Sequence, residues 1–320
     1  MTLPPNDQIY TLIKDAQSFL IAAHIRPDGD AVGSLLGLGN ALIQAKKKVT
    51  MVLSDGVPSN FHYLVGSKLV KKSVPDKDHF DLTISLDTSD LERSGGVFGE
   101  REILLNIDHH VTNTMYGCFN YNDPDSVATC AILAEKLEDW GLEIDATTAS
   151  LLLTGLITDT IGFRTSNMSS KAMKISAFLM DKGANLPKIY QEALINKSFE
   201  QIVYWGAALT RLKKEKQLAW TSLLIDDRKE AGYNGNDDAD LNSILSSIQE
   251  VLVSILFVEQ PGGSVKVSWR AKPGVDVSSL AQALGGGGHP AAAGVDLKGT
   301  LDEVQEIIIE KTKNLLDELS

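Results

Sequence analysis

The chain has 320 residues, 43% hydrophobic and 22% charged, an ordinary globular balance without a disorder signature. Its net charge of −12 argues against a protein that grips long DNA or RNA by the backbone, which takes a basic excess. A polyphosphate site on so acidic a chain has to be local, with divalent cations supplying positive charge. Two cysteines, Cys118 and Cys130, in no CxxC pattern exclude a disulfide framework and point to a reduced, cytoplasmic setting. The opening residues lack the basic stretch and apolar core of a signal peptide, and the apolar run Ala149 to Ile157 is too short to span a bilayer, so no membrane insertion is expected.

In chain order, Phe19 to Ala23 reads as a strand, followed by a polar loop and a helical pattern from Ala31 to about Lys46. Val49 to Leu53, Leu82 to Leu86 and Ile103 to Ile107 read as further strands, the last two as buried and mostly apolar. Helical patterns follow at Ser126 to Trp140, Ala146 to Thr158 and Ser170 to Lys182. Buried strands alternating with helices predict an α/β domain with a mostly parallel sheet covered by helices on both faces. Pro187 to Asn196 and Phe199 to Lys213 read as connecting helices, with Lys213 to Lys216 as a solvated helix end. A second, smaller α/β region has strand patterns at Leu218 to Ile225, Val251 to Glu259 and Val265 to Arg270, a loop over Tyr233 to Asp238 before a helix from Ala239, and a closing amphipathic helix from Leu301 to Leu319. The division adopted is residues 1–190 and 191–320.

Four clusters carry chemistry, each at a strand end or beside the sheet, where ligands of open α/β sheets gather. The first is His24-Ile25-Arg26-Pro27-Asp28-Gly29-Asp30, in which Pro27 and Gly29 enforce a turn. A helix-capping role accounts for Asp30 but leaves His24 and Asp28 unexplained. Asp87-Thr88-Ser89-Asp90 follows the third strand, and Asp108-His109-His110 the fourth. Asp159 ends an apolar helical pattern, where a carboxylate meets the negative end of the helix dipole unless a cation offsets it. Oxygen and imidazole donors without thiolate suit Mn2+, Mg2+ or Co2+ better than structural zinc, and two such ions can serve both a nucleophile and phosphoryl oxygens. In the second region, Gly285-Gly286-Gly287-Gly288-His289 offers backbone N–H groups to an anion, and Arg270 could pair bidentately with a phosphate.

These clusters, in this order, resemble the four motifs of the DHH phosphoesterases, and Gly285 to His289 followed by Ala292-Ala293-Gly294 resembles the glycine-rich signature of the DHHA1 domain. The resemblance runs from about residue 10 to the C-terminus. It implies that His24, Asp28 and Asp87 hold one metal ion, usually Mn2+, and that Asp30, Asp87, His109 and Asp159 hold the other, with Asp87 bridging. It further implies that Asp108 orients a ligand, that His110 faces the scissile phosphate, and that Arg270 with Gly286, Gly287, Gly288 and His289 closes over substrate in an interdomain cleft. Length and motif order are similar to the stand-alone nanoRNase/pAp phosphatase group rather than to the longer RecJ exonucleases. The implied substrates are short oligonucleotides and nucleoside bisphosphates, with no long duplex; a homodimer is implied by the resemblance alone. The alternatives are a cyclic-dinucleotide phosphodiesterase, an inorganic pyrophosphatase and a non-catalytic nucleotide sensor.

Overall fold

The computed structural model describes residues 5–235 and 238–318 and divides into two compact units, Met1–Asn196 and Lys197–Ser320. Asn236 and Asp237 of the expected loop, and Leu319 of the expected last helix, lie outside the described residues.

The first unit runs α1 (Asn6–Asp15), β1 (Ser18–Ala22), α2 (Gly29–Gln44), β2 (Lys48–Val52), β3 (Leu82–Leu86), β4 (Leu105–Asp108), β5 (Phe119–Asn122), α3 (Thr129–Lys136), α4 (Ala146–Asp159), α5 (Ser170–Asp181) and α6 (Leu186–Tyr190). The strands form a parallel sheet in the order β2-β1-β3-β4-β5. Every residue of β3 and β4 is buried, as strands covered on both faces require. Phe19 and Ile21 of β1 face the large core built with α2, α3 and α4, while Leu20 and Ala22 face a smaller cluster. That second cluster is closed by Val74, Val97, Phe98 and Ile103 from irregular connections rather than by helices. Strand β5 has no counterpart among the predicted elements: its residues alternate polar and aromatic side chains and only Tyr121 is buried, which gives little apolar signal.

The second unit runs α7 (Phe199–Leu209), β6 (Lys213–Glu215), β7 (Leu218–Leu223), α8 (Ile225–Ala231), α9 (Leu241–Leu245), β8 (Val253–Gln260), β9 (Ser264–Ala271), α10 (Ser278–Ala283), β10 (Gly287–His289), β11 (Ala292–Lys298) and α11 (Leu301–Glu318). Its mixed sheet has the order β10-β11-β9-β8-β7-β6, with only β7 and β8 parallel. Alternate residues of β8 feed opposite cores: Val253, Ile255 and Phe257 pack towards α10 and α11, Leu256 and Val258 towards α7 and α9. In α11 the buried residues Val304, Ile308, Thr312 and Leu316 recur every fourth position, and Thr312 Oγ1 accepts from the buried Trp269 indole at 3.1 Å. Lys213–Glu215, expected as a helix end, is instead an exposed edge strand. Its side chains gave no apolar pattern, so its register with β7 comes from backbone pairing.

Candidate metal centre

The parallel sheet presents all its strand carboxyl ends on one side, and the chemistry collects there. His24 follows β1, Asp87 follows β3, Asp108 ends β4, and His109 and His110 come next. Asp87 has a left-handed backbone, φ 51°, while its N–H still donates to Ile107 O at 2.9 Å. Asp is among the few residues that tolerate this region, and the kink turns the chain at the strand end.

Helices α2 and α4 contribute the rest. Asp28, not Asp30, is the N-cap of α2: its Oδ1 accepts from Asp30 N at 3.0 Å and Ala31 N at 3.1 Å. The helix therefore begins at Gly29, before the apolar periodicity does, and Asp30 falls in its first turn. The Asp30 carboxylate instead accepts from Thr129 N at 2.6 Å and Cys130 N at 2.9 Å, at the start of α3. Asp159 is the last residue of α4, as the sequence indicates. The two helices lie unusually close. A Cβ at Gly29 would sit 2.1 Å from Thr158 Oγ1, one at Gly33 2.8 Å from Leu151 O, and one at Gly155 2.8 Å from Asp30 Oδ1. Small residues at these positions are what bring Asp30 near Asp159.

Among the described residues, three sets of side chains have ligand atoms mutually within 4.8 Å: His24, Asp28 and Asp87; Asp30, His109 and Asp159; and Asp87, His109 and His110. Asp87 joins them. Its Oδ2 is 3.5 Å from His24 Nε2, and its Oδ1 is 3.5 Å from His109 Nε2. His24 Nε2 also lies 3.8 Å from Asp28 Oδ1, and His109 Nε2 lies 3.9 Å from Asp30 Oδ2 and 3.7 Å from Asp159 Oδ2. These separations are too long for hydrogen bonds. The imidazole orientation fits a cation: His24 Nδ1 donates to Ile25 O at 2.7 Å, so Nε2 faces the carboxylates with its lone pair unless a proton or metal ion intervenes. His24, Asp30 and Asp87 are buried, and Asp28 is the exposed member of the cluster, its side chain 60% accessible.

The charges are strongly coupled. Burial alone would lower the His24 pKa, but the Asp28 and Asp87 carboxylates outweigh it and raise it to about 10. His109 is likewise raised, against burial, to about 9 by Asp30, Asp87 and Asp159. Burial, then the neighbouring Asp87 and Asp159 charges, pushes the Asp30 carboxyl up, and burial pushes Asp159 to about 6. So many carboxylates in one buried spot repel one another, and positive charge among them is what relieves the repulsion.

Asp108 stands apart from the ligand sets and is fully buried. Its Oδ1 accepts from His110 Nδ1 at 2.7 Å and His109 N at 2.8 Å, and its Oδ2 from Asn113 Nδ2 at 2.5 Å. Those donors hold its pKa below the usual carboxylate range despite burial, and its hydrogen bond raises that of His110. Asn113 in turn donates to Asn106 Oδ1 at 2.8 Å, and Asn106 donates to the Tyr116 hydroxyl at 3.1 Å. None of Asn106, Asn113, Tyr116 or Thr129 stood out in the sequence. The glycines at 29, 33 and 37, one helical turn apart, were the legible sign of the α2 contact. Asp90 is drawn into its own turn, accepting from Arg93 N at 2.9 Å.

In the second unit the glycine run is not a free loop. Gly287–His289 is an edge strand of a hairpin with β11. Only glycine fits at Gly288, whose φ is 143° and whose Cβ would lie 2.5 Å from Ala292 O. Cross-strand register places Arg270, Ala292 and His289 side by side on one sheet face, the small Ala292 in the middle. Arg270 Nη1 donates to Trp269 O at 2.9 Å.

Residues 18–156 match the DHH family, N-terminal domain, and residues 208–317 match the DHHA1 domain. The chain is 31% identical to the bifunctional oligoribonuclease and PAP phosphatase NrnA of Thermus thermophilus, over 92% of this chain and 89% of that protein. It shares its fold with an exopolyphosphatase-related protein from Bacteroides fragilis, at TM-score 0.88 and 26% identity over 98% and 97% of the two chains. RecJ of Thermus thermophilus in complex with Mn2+ shares the fold more distantly, at TM-score 0.52 and 11% identity, covering all of this chain and 55% of RecJ.

Proposed function

Because this chain belongs to the DHH phosphoesterase family, with a DHHA1 domain after the DHH domain, it is a hydrolase of phosphoester bonds, and we propose that it cleaves short oligonucleotides to mononucleotides and dephosphorylates 3′-phosphoadenosine 5′-phosphate with two Mn2+ ions. The observation that carries the two-ion reading is Asp87, which offers one oxygen to each of two neighbouring ligand sets. His24, Asp28 and Asp87 would hold one ion, and Asp30, Asp87, His109 and Asp159 the other. Two divalent ions, when bound, supply Lewis acidity towards a water and the phosphoryl oxygens.

The chain's own groups do the remaining work in this reading. Asp108 takes the His110 Nδ1 proton in a hydrogen bond and fixes the ring, which leaves Nε2 to hold a proton for the leaving oxygen. Arg270 and His289 would grip the anionic part of the nucleotide, with Gly286, Gly287 and Gly288 letting it approach the backbone. The NrnA name of the Thermus relative supports substrates of this size. A reduced, cytoplasmic setting suits the two free cysteines, Cys118 and Cys130.

The test is mononucleotide release from pApA with Mn2+, run beside pAp, pyrophosphate and cyclic di-AMP. Release from pApA and pAp, lost on chelation and abolished by Asp87→Ala, is the expected result. Turnover of pyrophosphate alone, or near-normal activity in Asp87→Ala, would refute it.

A further inference from the structure

We propose that Thr129 is a positioning residue for the metal centre, clamping the shared carboxylate of Asp87 and the neighbouring Asp30 through the first turn of α3. The inference rests on the two-ion reading above and extends it to a residue outside the ligand sets. Thr129 is fully buried, and its Oγ1 donates to Asp87 Oδ1 at 3.1 Å. Its backbone N–H donates to Asp30 Oδ2 at 2.6 Å, and the next N–H, of Cys130, donates to Asp30 Oδ1 at 2.9 Å. One residue thus touches a carboxylate of each ion's set.

Local structure explains why the position is free for this task. Ala128, the N-cap of α3, has no side chain able to cap. The unpaired amides at the start of the helix therefore turn to Asp30, contributed by α2 almost a hundred residues earlier in the chain. A negative group at a helix N-terminus is favourable, so the arrangement reduces the repulsion between Asp30 and Asp87 before any cation arrives. The hydroxyl takes one lone pair of Asp87 Oδ1 and leaves the other for a ligand bond, which fixes the rotation of the bridging carboxylate.

The hydroxyl can be removed without changing shape. Thr129→Val keeps both backbone donors and the side-chain volume, and Thr129→Ser keeps the hydroxyl. Mn2+ affinity is read directly, by calorimetric titration and by the loss of the free Mn2+ electron paramagnetic resonance signal, on full-length protein stripped with chelator. Thr129→Val is expected to lose about 10- to 100-fold in Mn2+ affinity, as removal of an outer-shell partner typically does, with Thr129→Ser near wild type. Equal affinity in Thr129→Val and wild type would overturn the proposal. So would equal losses in Thr129→Val and Thr129→Ser, because the hydroxyl would then not be the cause. If wild type itself bound no Mn2+, the two-ion reading would fall and take this inference with it, a result distinguishable from the other two.

Discussion

The close approach of α2 and α4 makes a sharp prediction about a single methyl group. In an exposed helix interior, Gly→Ala ordinarily stabilises by about 0.5–1 kcal/mol. Gly206 in α7 is such a position: an added Cβ meets nothing within 4 Å. Gly33 is the opposite case. Its Cβ would lie 2.8 Å from Leu151 O and 2.9 Å from Gly155 N, backbone atoms that cannot swing aside, and 3.1 Å from Cys130 Sγ. Overpacking of this kind costs about 1–3 kcal/mol. Set against the helix gain, Gly33→Ala should come out destabilised by ~0–2.5 kcal/mol, a fall in Tm of up to ~10 °C at about 2–4 °C per kcal/mol. The helices must also part by a few tenths of an ångström, which draws Asp30 away from Asp159 and should weaken Mn2+ binding. Thermal melts of Gly33→Ala and Gly206→Ala, with and without Mn2+, separate the two effects. A Gly33→Ala protein as stabilised as Gly206→Ala, with unaltered Mn2+ dependence, would refute the claim that this contact sets the site.

In chelated protein, His24 and His109 have folded pKa values raised to about 10 and about 9, so their contribution is full below the unfolded value near 6.5 and is lost as pH rises towards those values. Melts of chelated protein should show stability falling between about pH 6.5 and 10, and a flat profile there would contradict the assignment. Asp227 takes a bidentate pair from Arg211, with both contacts at 2.6 Å, and accepts from Leu224 N at 2.8 Å. Asp227→Ala should cost roughly 1–3 kcal/mol in a denaturant titration without altering Mn2+ affinity. His289→Ala should raise KM for pApA with little change in kcat, and an equal loss in both would move His289 from binding into the chemical step.

The mostly apolar stretches at Leu82–Leu86 and Ile103–Ile107 announced buried strands; in the first, Thr83 and Ser85 alternate with apolar residues yet are buried as well, with Thr83 donating to Glu102 O and Ser85 paired with the Tyr116 hydroxyl. The meeting of His24, Asp28, Asp30, Asp87, His109 and Asp159 was equally open to reading, since each stands at a strand end or at a helix end beside the sheet, where residues far apart in sequence come together. Supporting residues were hidden for the converse reason. Asn113 and Thr129 are ordinary residues in ordinary turns and helices, and only the folded chain brings them onto Asp108 and Asp87. Asp30 misled as a cap because either Asp28 or Asp30 satisfies the local pattern; the amides of α3, distant in sequence, settled which of them caps α2. The glycine run of the second unit carried two messages at once, backbone freedom and tight strand approach, and the cross-strand crowding at Gly288 shows that the second also applies.

Asp159 ends α4, whereas His24 comes just after the first strand of the sheet. During synthesis the amino-terminal strands emerge long before the residue that completes the ligand cluster. A nascent chain stopped before α4 would carry His24, Asp28, Asp87 and His109 but lack the last carboxylate and the helix that packs on α2. Under the proposed assignment only the ion that Asp159 helps to hold has to wait for α4, and it would join that helix to the strands made before it. Such an ion would act as a clasp on the finished fold: if the α2–α4 contact forms after the folding transition state, excess Mn2+ should slow unfolding of the first unit more than it speeds folding.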